Sequence, residues 1–123
     1  MEIRSLTRAE EEIMLHLWQM GRGFVKDILA EMPEPKPAYN TVSTIIRILE
    51  KKGFVGYMAY GKTHEYFPLI SEAEYKRFEM QQLLENYFDN SLTKLVSFFV
   101  KDHDLTTRDL DEIIQLMQTK KTE

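Results

Sequence analysis

The chain has 123 residues, no cysteine, and 20 acidic against 16 basic side chains, a formal charge of -4. One domain, or one and a half, of that length buries roughly two-thirds of its unfolded surface, so an ordinary core is possible and a large enzyme scaffold is excluded. The missing cysteines exclude disulfide staples, thiolate metal sites and thiol nucleophiles.

Met1-Glu2-Ile3-Arg4-Ser5 leads directly into a charged helical pattern, and no stretch reaches the roughly 18 apolar residues that a membrane span needs. The expected location is the cytoplasm.

Helix starts are marked by capping boxes, in which a Ser or Thr and an acid three residues on satisfy each other's orphan N–H groups. Thr7-Arg-Ala-Glu10, Ser71-Glu-Ala-Glu74 and Thr106-Thr-Arg-Asp109 all fit. From Thr7, Ile13, Met14, Leu17 and Trp18 recur at helical spacing until Gly21-Arg22-Gly23 ends the run. A second, short stripe of Val25, Ile28, Leu29 and Met32 stops at Pro33-Glu34-Pro35-Lys36-Pro37, a stiff connector that no helix crosses. Tyr39 to Lys52 carries Val42, Ile45, Ile46 and Leu49 on one face, with Gly53 placed as its C-terminal stop. Phe54 to Tyr60 and Thr63 to Pro68, joined at Gly61-Lys62, read as a β-hairpin.

After Ser71 the pattern is helical again. Tyr75, Phe78, Leu83, Leu84, Tyr87 and Phe88 form one stripe; Leu92, Leu95, Val96 and Phe99 a second; Leu110, Ile113, Ile114 and Met117 a third. So much apolar surface needs the first 68 residues or another subunit to cover it. Leu95-Val-Ser-Phe-Phe-Val100 would also be a strong aggregation window if left bare. The expected cover is a second copy of the chain. The expected homodimer interface comprises Tyr87, Phe88, Leu92, Leu95, Val96, Phe98, Phe99, Leu110, Ile113, Ile114 and Met117.

Three helices followed by a two-stranded hairpin is the order of a winged helix-turn-helix. The fold expected is therefore mainly α with a small β-hairpin: a winged DNA-binding domain over residues 1–69, then helical dimerisation elements over 70–123. Charge supports a nucleic-acid partner locally and not on average. Residues 36–68 hold five basic side chains against Glu50 and Glu65, while residues 69–123 carry the whole net negative charge.

At about 100° per residue, the third predicted helix turns Asn40, Thr44, Arg47 and Lys51 away from its buried face, with Thr41 and Ser43 flanking. That outer face carries amide, hydroxyl and cationic groups and no acid. Asn pairs with adenine, Arg with guanine, and Thr with either or with the thymine methyl. Asn40, Thr41 and Thr44 are thus expected at base edges, while Arg47 and Lys51 suit phosphates. Lys62 at the hairpin tip is expected where a wing meets the DNA backbone, and Lys36, with Lys26 further back, is expected to flank the helix entrance. The hairpin aromatics Tyr57, Tyr60, Tyr66 and Phe67 read as packing residues.

The strings Leu6-Thr-Arg-Ala-Glu-Glu-Glu-Ile-Met-Leu-His-Leu-Trp18, Val25-Lys-Asp-Ile28 and Ala38-Tyr-Asn-Thr-Val-Ser-Thr-Ile-Ile-Arg-Ile-Leu-Glu-Lys-Lys-Gly53 resemble the penicillinase repressor (BlaI/MecI) family of bacterial transcription regulators. The likeness runs on through the hairpin into Phe99-Val-Lys-Asp-His-Asp-Leu105 and Leu110-Asp-Glu-Ile113. It implies a dimeric winged-helix repressor on a pseudo-palindromic operator of a β-lactam-resistance or related operon. In that family the third helix enters the major groove, which transfers to Asn40, Thr41, Thr44 and Arg47, and the wing contact to Lys62. A membrane metalloprotease sensor is the partner the resemblance implies.

Two departures stand out. The bond matching the family's Asn-Phe cleavage site is Phe98-Phe99 here, with no Asn. The cysteine-rich motif of the copper-responsive branch is missing altogether.

His16, His64 and His103 fall in three different elements, and Asp102-His103-Asp104 reads as a solvated loop, so no metal, cofactor or enzymatic activity is expected. Two other readings use the same elements: a winged-helix protein-interaction adaptor, and a dimeric regulator that senses a ligand in its aromatic interface.

Overall fold

The computed structural model describes residues 3–102 and 105–122, with side chains through Thr119 in the last helix. The elements are α1 (Arg8–Met20), α2 (Val25–Glu31), α3 (Tyr39–Lys51), β1 (Val55–Tyr60), β2 (Thr63–Pro68), α4 (Glu72–Tyr87), α5 (Leu92–Asp102) and α6 (Thr107–Thr122). The expected class, helical with one antiparallel hairpin, is the observed one. His103 and Asp104 of the expected solvated loop lie outside the described residues.

Two compact units divide within α4, one over residues 1–80 and one over 81–123. In the first, Thr7 Oγ1 accepts the Glu10 N–H at 3.2 Å and Glu10 Oε1 accepts the Thr7 N–H at 2.8 Å, closing the capping box that starts α1. Ile13, Met14 and Leu17 of α1, Ile28 of α2, and Val42, Ile46 and Leu49 of α3 then share one buried core.

Glu10 does more than cap. Its Oε1 also accepts a hydrogen bond from Lys52 Nζ at 2.7 Å, which ties the start of α1 to the end of α3 through a buried carboxylate. Burial alone would raise the pKa of this carboxyl. The Lys52 hydrogen bond and the Thr7 amide outweigh burial and hold it below the ordinary value.

Gly53, at φ +84°, ends α3 in a Schellman turn. Its N–H donates to Glu50 O at 3.1 Å, and the Phe54 N–H donates to Leu49 O at 2.9 Å. The turn drops Phe54 into the core, fully buried, and aims the chain into β1. In the hairpin, Val55 pairs with Pro68, Tyr57 with Tyr66 and Tyr60 with Thr63, around Gly61-Lys62. Tyr66 also exchanges two backbone hydrogen bonds with Gly23, of 2.9 and 2.8 Å, so the segment before α2 pairs with β2 from the other side.

The first unit continues past the 69/70 boundary expected from sequence because the start of α4 completes its core. Ser71 and Glu74 close the second capping box. Tyr75 is then buried edge-on to Phe54, with ring centroids 5.6 Å apart, and lies 5.9 Å from Trp18. The Tyr75 hydroxyl accepts the Leu6 N–H at 2.9 Å, and burial pushes its pKa up to about 12. Tyr75 and Phe78, which the sequence groups with the tail stripes, belong instead to the winged core.

In the second unit, Asp89 and Asn90 take left-handed backbone at φ +50° and +57° and break the chain between α4 and α5. Ser91 Oγ accepts the Lys94 N–H at 3.1 Å and caps α5, a cap that follows no box pattern in the sequence. Thr106 and Asp109 form the third box. No residue of α5 is buried. Phe88 and Phe98 lie 5.7 Å apart, yet Tyr87, Leu92, Val96, Phe98, Phe99, Leu110, Ile113, Ile114 and Met117 are all exposed.

Candidate nucleic-acid interface

α3 owes its position to its apolar side. Val42, Ile46 and Leu49 are completely buried, and Lys52 just beyond them is held by Glu10, so the opposite side faces outward. Asn40, Thr41, Thr44, Arg47 and Lys51 are exposed there, and Ser43 is half-buried at the edge. Thr44 Oγ1 donates to Asn40 O at 2.8 Å, which uses its proton and leaves its oxygen lone pairs able to accept.

Beside this face lies a cleft of about 580 Å³ between α3, the start of α2 and the hairpin. Ser43, Arg47 and Lys51 line it from α3, Lys26 from α2, and Lys62 from the hairpin tip. Arg47 and Lys51 thus belong both to the outer face and to the cleft, whereas Asn40, Thr41 and Thr44 stand on the outer face alone. The arrangement offers hydrogen-bonding groups at one edge and positive charge at the other.

Three residues differ from the sequence reading. Lys36 does not stand free beside α3. Its ammonium donates to the carbonyls of Leu29 and Ala30 at 3.0 and 2.9 Å and so caps the end of α2, where the Leu29 carbonyl also accepts the Met32 N–H at 3.2 Å. Of the hairpin aromatics, Tyr66 is buried as expected, but Tyr57 and Tyr60 are 43% and 53% exposed and are surface groups as much as packing ones.

Sequence reasoning missed Glu50, Tyr39, Phe24 and His64 as cleft residues. Glu50 brings a carboxylate to the rim one position beyond the acid-free face. Its charge acts on Tyr66, whose pKa is raised first by burial and then by Glu50, against the opposing pull of Arg47. His64 was legible in principle. In the observed register Ala59 faces His64 and Tyr57 faces Tyr66, so strand alternation puts Tyr57, His64 and Tyr66 on one side of the hairpin. There Tyr57 and His64 stack with centroids 4.1 Å apart and planes 10° from parallel.

Among the described residues no cluster of His, Asp or Glu is arranged to hold a metal ion, and no helix is long and apolar enough to cross a membrane.

Comparison with known proteins gives one answer. Residues 6–119 match the family model described as penicillinase repressor. The penicillinase repressor of Bacillus licheniformis is 22% identical over 121 residues, covering 98% of this chain and 94% of the relative. The methicillin resistance regulatory protein MecI of Staphylococcus aureus is 25% identical over 116 residues, covering 94% of each. Among solved structures, the solution structure of the DNA binding domain of the repressor BlaI superimposes with a TM-score of 0.53 at 25% identity, covering 60% of this chain and 92% of that one. The family match over residues 6–119, the relatives that cover nearly the whole chain and the solved DNA binding domain agree with one another, and this chain belongs to the penicillinase repressor family.

Proposed function

We propose that the protein is a homodimeric, sequence-specific repressor that occupies a pseudo-palindromic operator, with α3 in the major groove and the hairpin as its wing. The observation that carries this reading is the outer face of α3, where Asn40, Thr41, Thr44, Arg47 and Lys51 stand exposed beside Lys62. A helix fits the major groove with its N-terminal residues nearest the bases, so Asn40, Thr41 and Thr44 read base edges. Lys51 and Lys62 hold phosphates, and Ser43 and Arg47 occupy the border between the two roles. The similarity to the BlaI DNA-binding domain supports the same assignment. Lys36, whose ammonium caps α2, flanks the entrance of α3 from there.

The exposed apolar faces of α5 and α6 support a dimer. Tyr87, Leu92, Phe98, Phe99, Ile114 and Met117 are left for a twin subunit to cover. Two-fold symmetry in the protein then demands two half-sites about one helical turn, or a multiple of it, apart. We infer that the regulated operon serves β-lactam resistance or a related function, with a membrane metalloprotease as the upstream sensor; the similarity to the methicillin resistance regulatory protein MecI supports the first part of that reading. The genes flanking this one test that placement.

The deciding experiment is fluorescence anisotropy with DNA from the protein's own promoter, at several salt concentrations, for the wild type and Arg47→Ala. The expected result is tight binding that weakens steeply with salt, and a loss of about 1–3 kcal/mol for the variant. A loss confined to one base pair makes Arg47 a base reader; a uniform loss makes it a phosphate anchor. Equal affinity for promoter and unrelated DNA overturns the repressor reading.

A further inference from the structure

The cleft between α3 and the wing holds more than phosphate binding requires. Lys26, Arg47, Lys51 and Lys62 line it, and none of the four forms an ion pair among the described residues. Glu50 is the single acid in the lining. Cations gathered in a concavity repel one another there, and an anion placed among them relieves the repulsion.

The walls are aromatic. Tyr57 lies flat on His64 and is 43% exposed, Tyr39 is 53% exposed, and Phe24 and Tyr66 complete the lining. A ring against Tyr57 extends a stack that already exists, and Arg47 and the lysines add attraction to its π face. The volume of about 580 Å³ falls within the range of small-ligand sites.

We propose that this cleft binds a small planar aromatic anion, a ring system carrying a phosphate, and that such a ligand and the operator exclude one another. Binding stands on the cleft alone. The exclusion rests on the repressor reading, because Ser43, Arg47, Lys51 and Lys62 serve both sites. Such a ligand would act as an inducer at the DNA-reading surface itself, independently of any cut in the tail helices.

The test is calorimetric titration of the full-length protein with adenosine monophosphate, adenosine and inorganic phosphate as probes. The expected result is one monophosphate per chain, with adenosine and phosphate each bound at least about tenfold more weakly. Tyr57→Leu is expected to weaken monophosphate binding about tenfold while operator affinity without ligand stays within about threefold. In wild type the monophosphate raises the apparent Kd for the operator, and in Tyr57→Leu this effect is lost. If the leucine variant misfolds, ring resonances of Tyr57 and His64 that shift on addition of monophosphate to wild type decide the matter.

Absence of monophosphate binding, equal binding of inorganic phosphate, or unchanged affinity in a folded Tyr57→Leu protein overturns the proposal. Monophosphate binding without any operator preference overturns the repressor reading and leaves the site standing.

Discussion

Residues 1–80 and residues 81–123 carry similar kinds of apolar side chain and treat them differently. In the first unit Phe54, Leu17 and Ile46 are fully excluded from water, and even the buried carboxylate of Glu10 has its partners. In the second, Phe98, Leu92 and Ile114 are each at least half exposed. Exposed apolar area on that scale is an association surface rather than a core. The winged unit encloses its core within one chain, whereas the tail unit leaves its apolar faces exposed, and in the dimer proposed above a second copy covers them.

The contrast is tested most sharply by paired substitutions. Phe54→Ala empties a filled site and is expected to cost about 3–5 kcal/mol of unfolding free energy in urea titration. Phe98→Asp is expected to leave the first unit's unfolding unchanged. In sedimentation equilibrium it raises the dimer dissociation constant by about a hundredfold or more, because two aromatic contacts are lost and two charges are buried. A dimer as tight as wild type would show that the tail apolar faces do not pair.

Lys52→Met removes the cation that satisfies Glu10, and the expected loss is about 2 kcal/mol at neutral pH. Because Glu10 has a depressed pKa in the folded state, its contribution is full above the ordinary value of 4.5 and disappears as pH falls through the folded pKa. Acid titration of stability is therefore expected to be shallower in Lys52→Met than in wild type.

Tyr75 gives the opposite sign. Its pKa is raised from 10.0 to about 12, so stability is full below pH 10.0 and falls as the pH climbs toward 12. Tyr75→Phe keeps the ring, sacrifices the Leu6 hydrogen bond, and should flatten that alkaline decline in a pH series of thermal unfolding. The smallest effect belongs to Gly53→Ala, which strains a left-handed residue at φ +84° and should cost about 1–2 kcal/mol.

Much of this was legible in the sequence because it is local. Capping boxes, the proline stop, the Gly53 exit and the apolar side of α3 depend on residues within one or two turns of each other, and all of them appear in the structure. The role of Lys36 was not legible, since Leu29 and Ala30 are reachable only once Pro33 to Pro37 have folded the chain back. Nor was the Glu10–Lys52 pair, whose members are 42 positions apart. Tyr75 misled for a related reason. Its spacing suits the tail stripe, and only Phe54 and Trp18 brought close in three dimensions reveal where it packs. The cleft needed both the register of the hairpin and its approach to α3, so its charges were visible and its aromatic walls were not.

The pairing of Gly23 with Tyr66 has a consequence for how the wing moves. Two main-chain hydrogen bonds fasten the base of the hairpin to the stretch between α1 and α2. The wing is therefore no independent flap. In deuterium exchange, the amides of Gly23 and Tyr66 should open only with the whole winged unit, while those of Gly61 and Lys62 at the exposed tip label early. A hairpin pinned at its root keeps its bearing on α3, and any adjustment is left to its exposed tip.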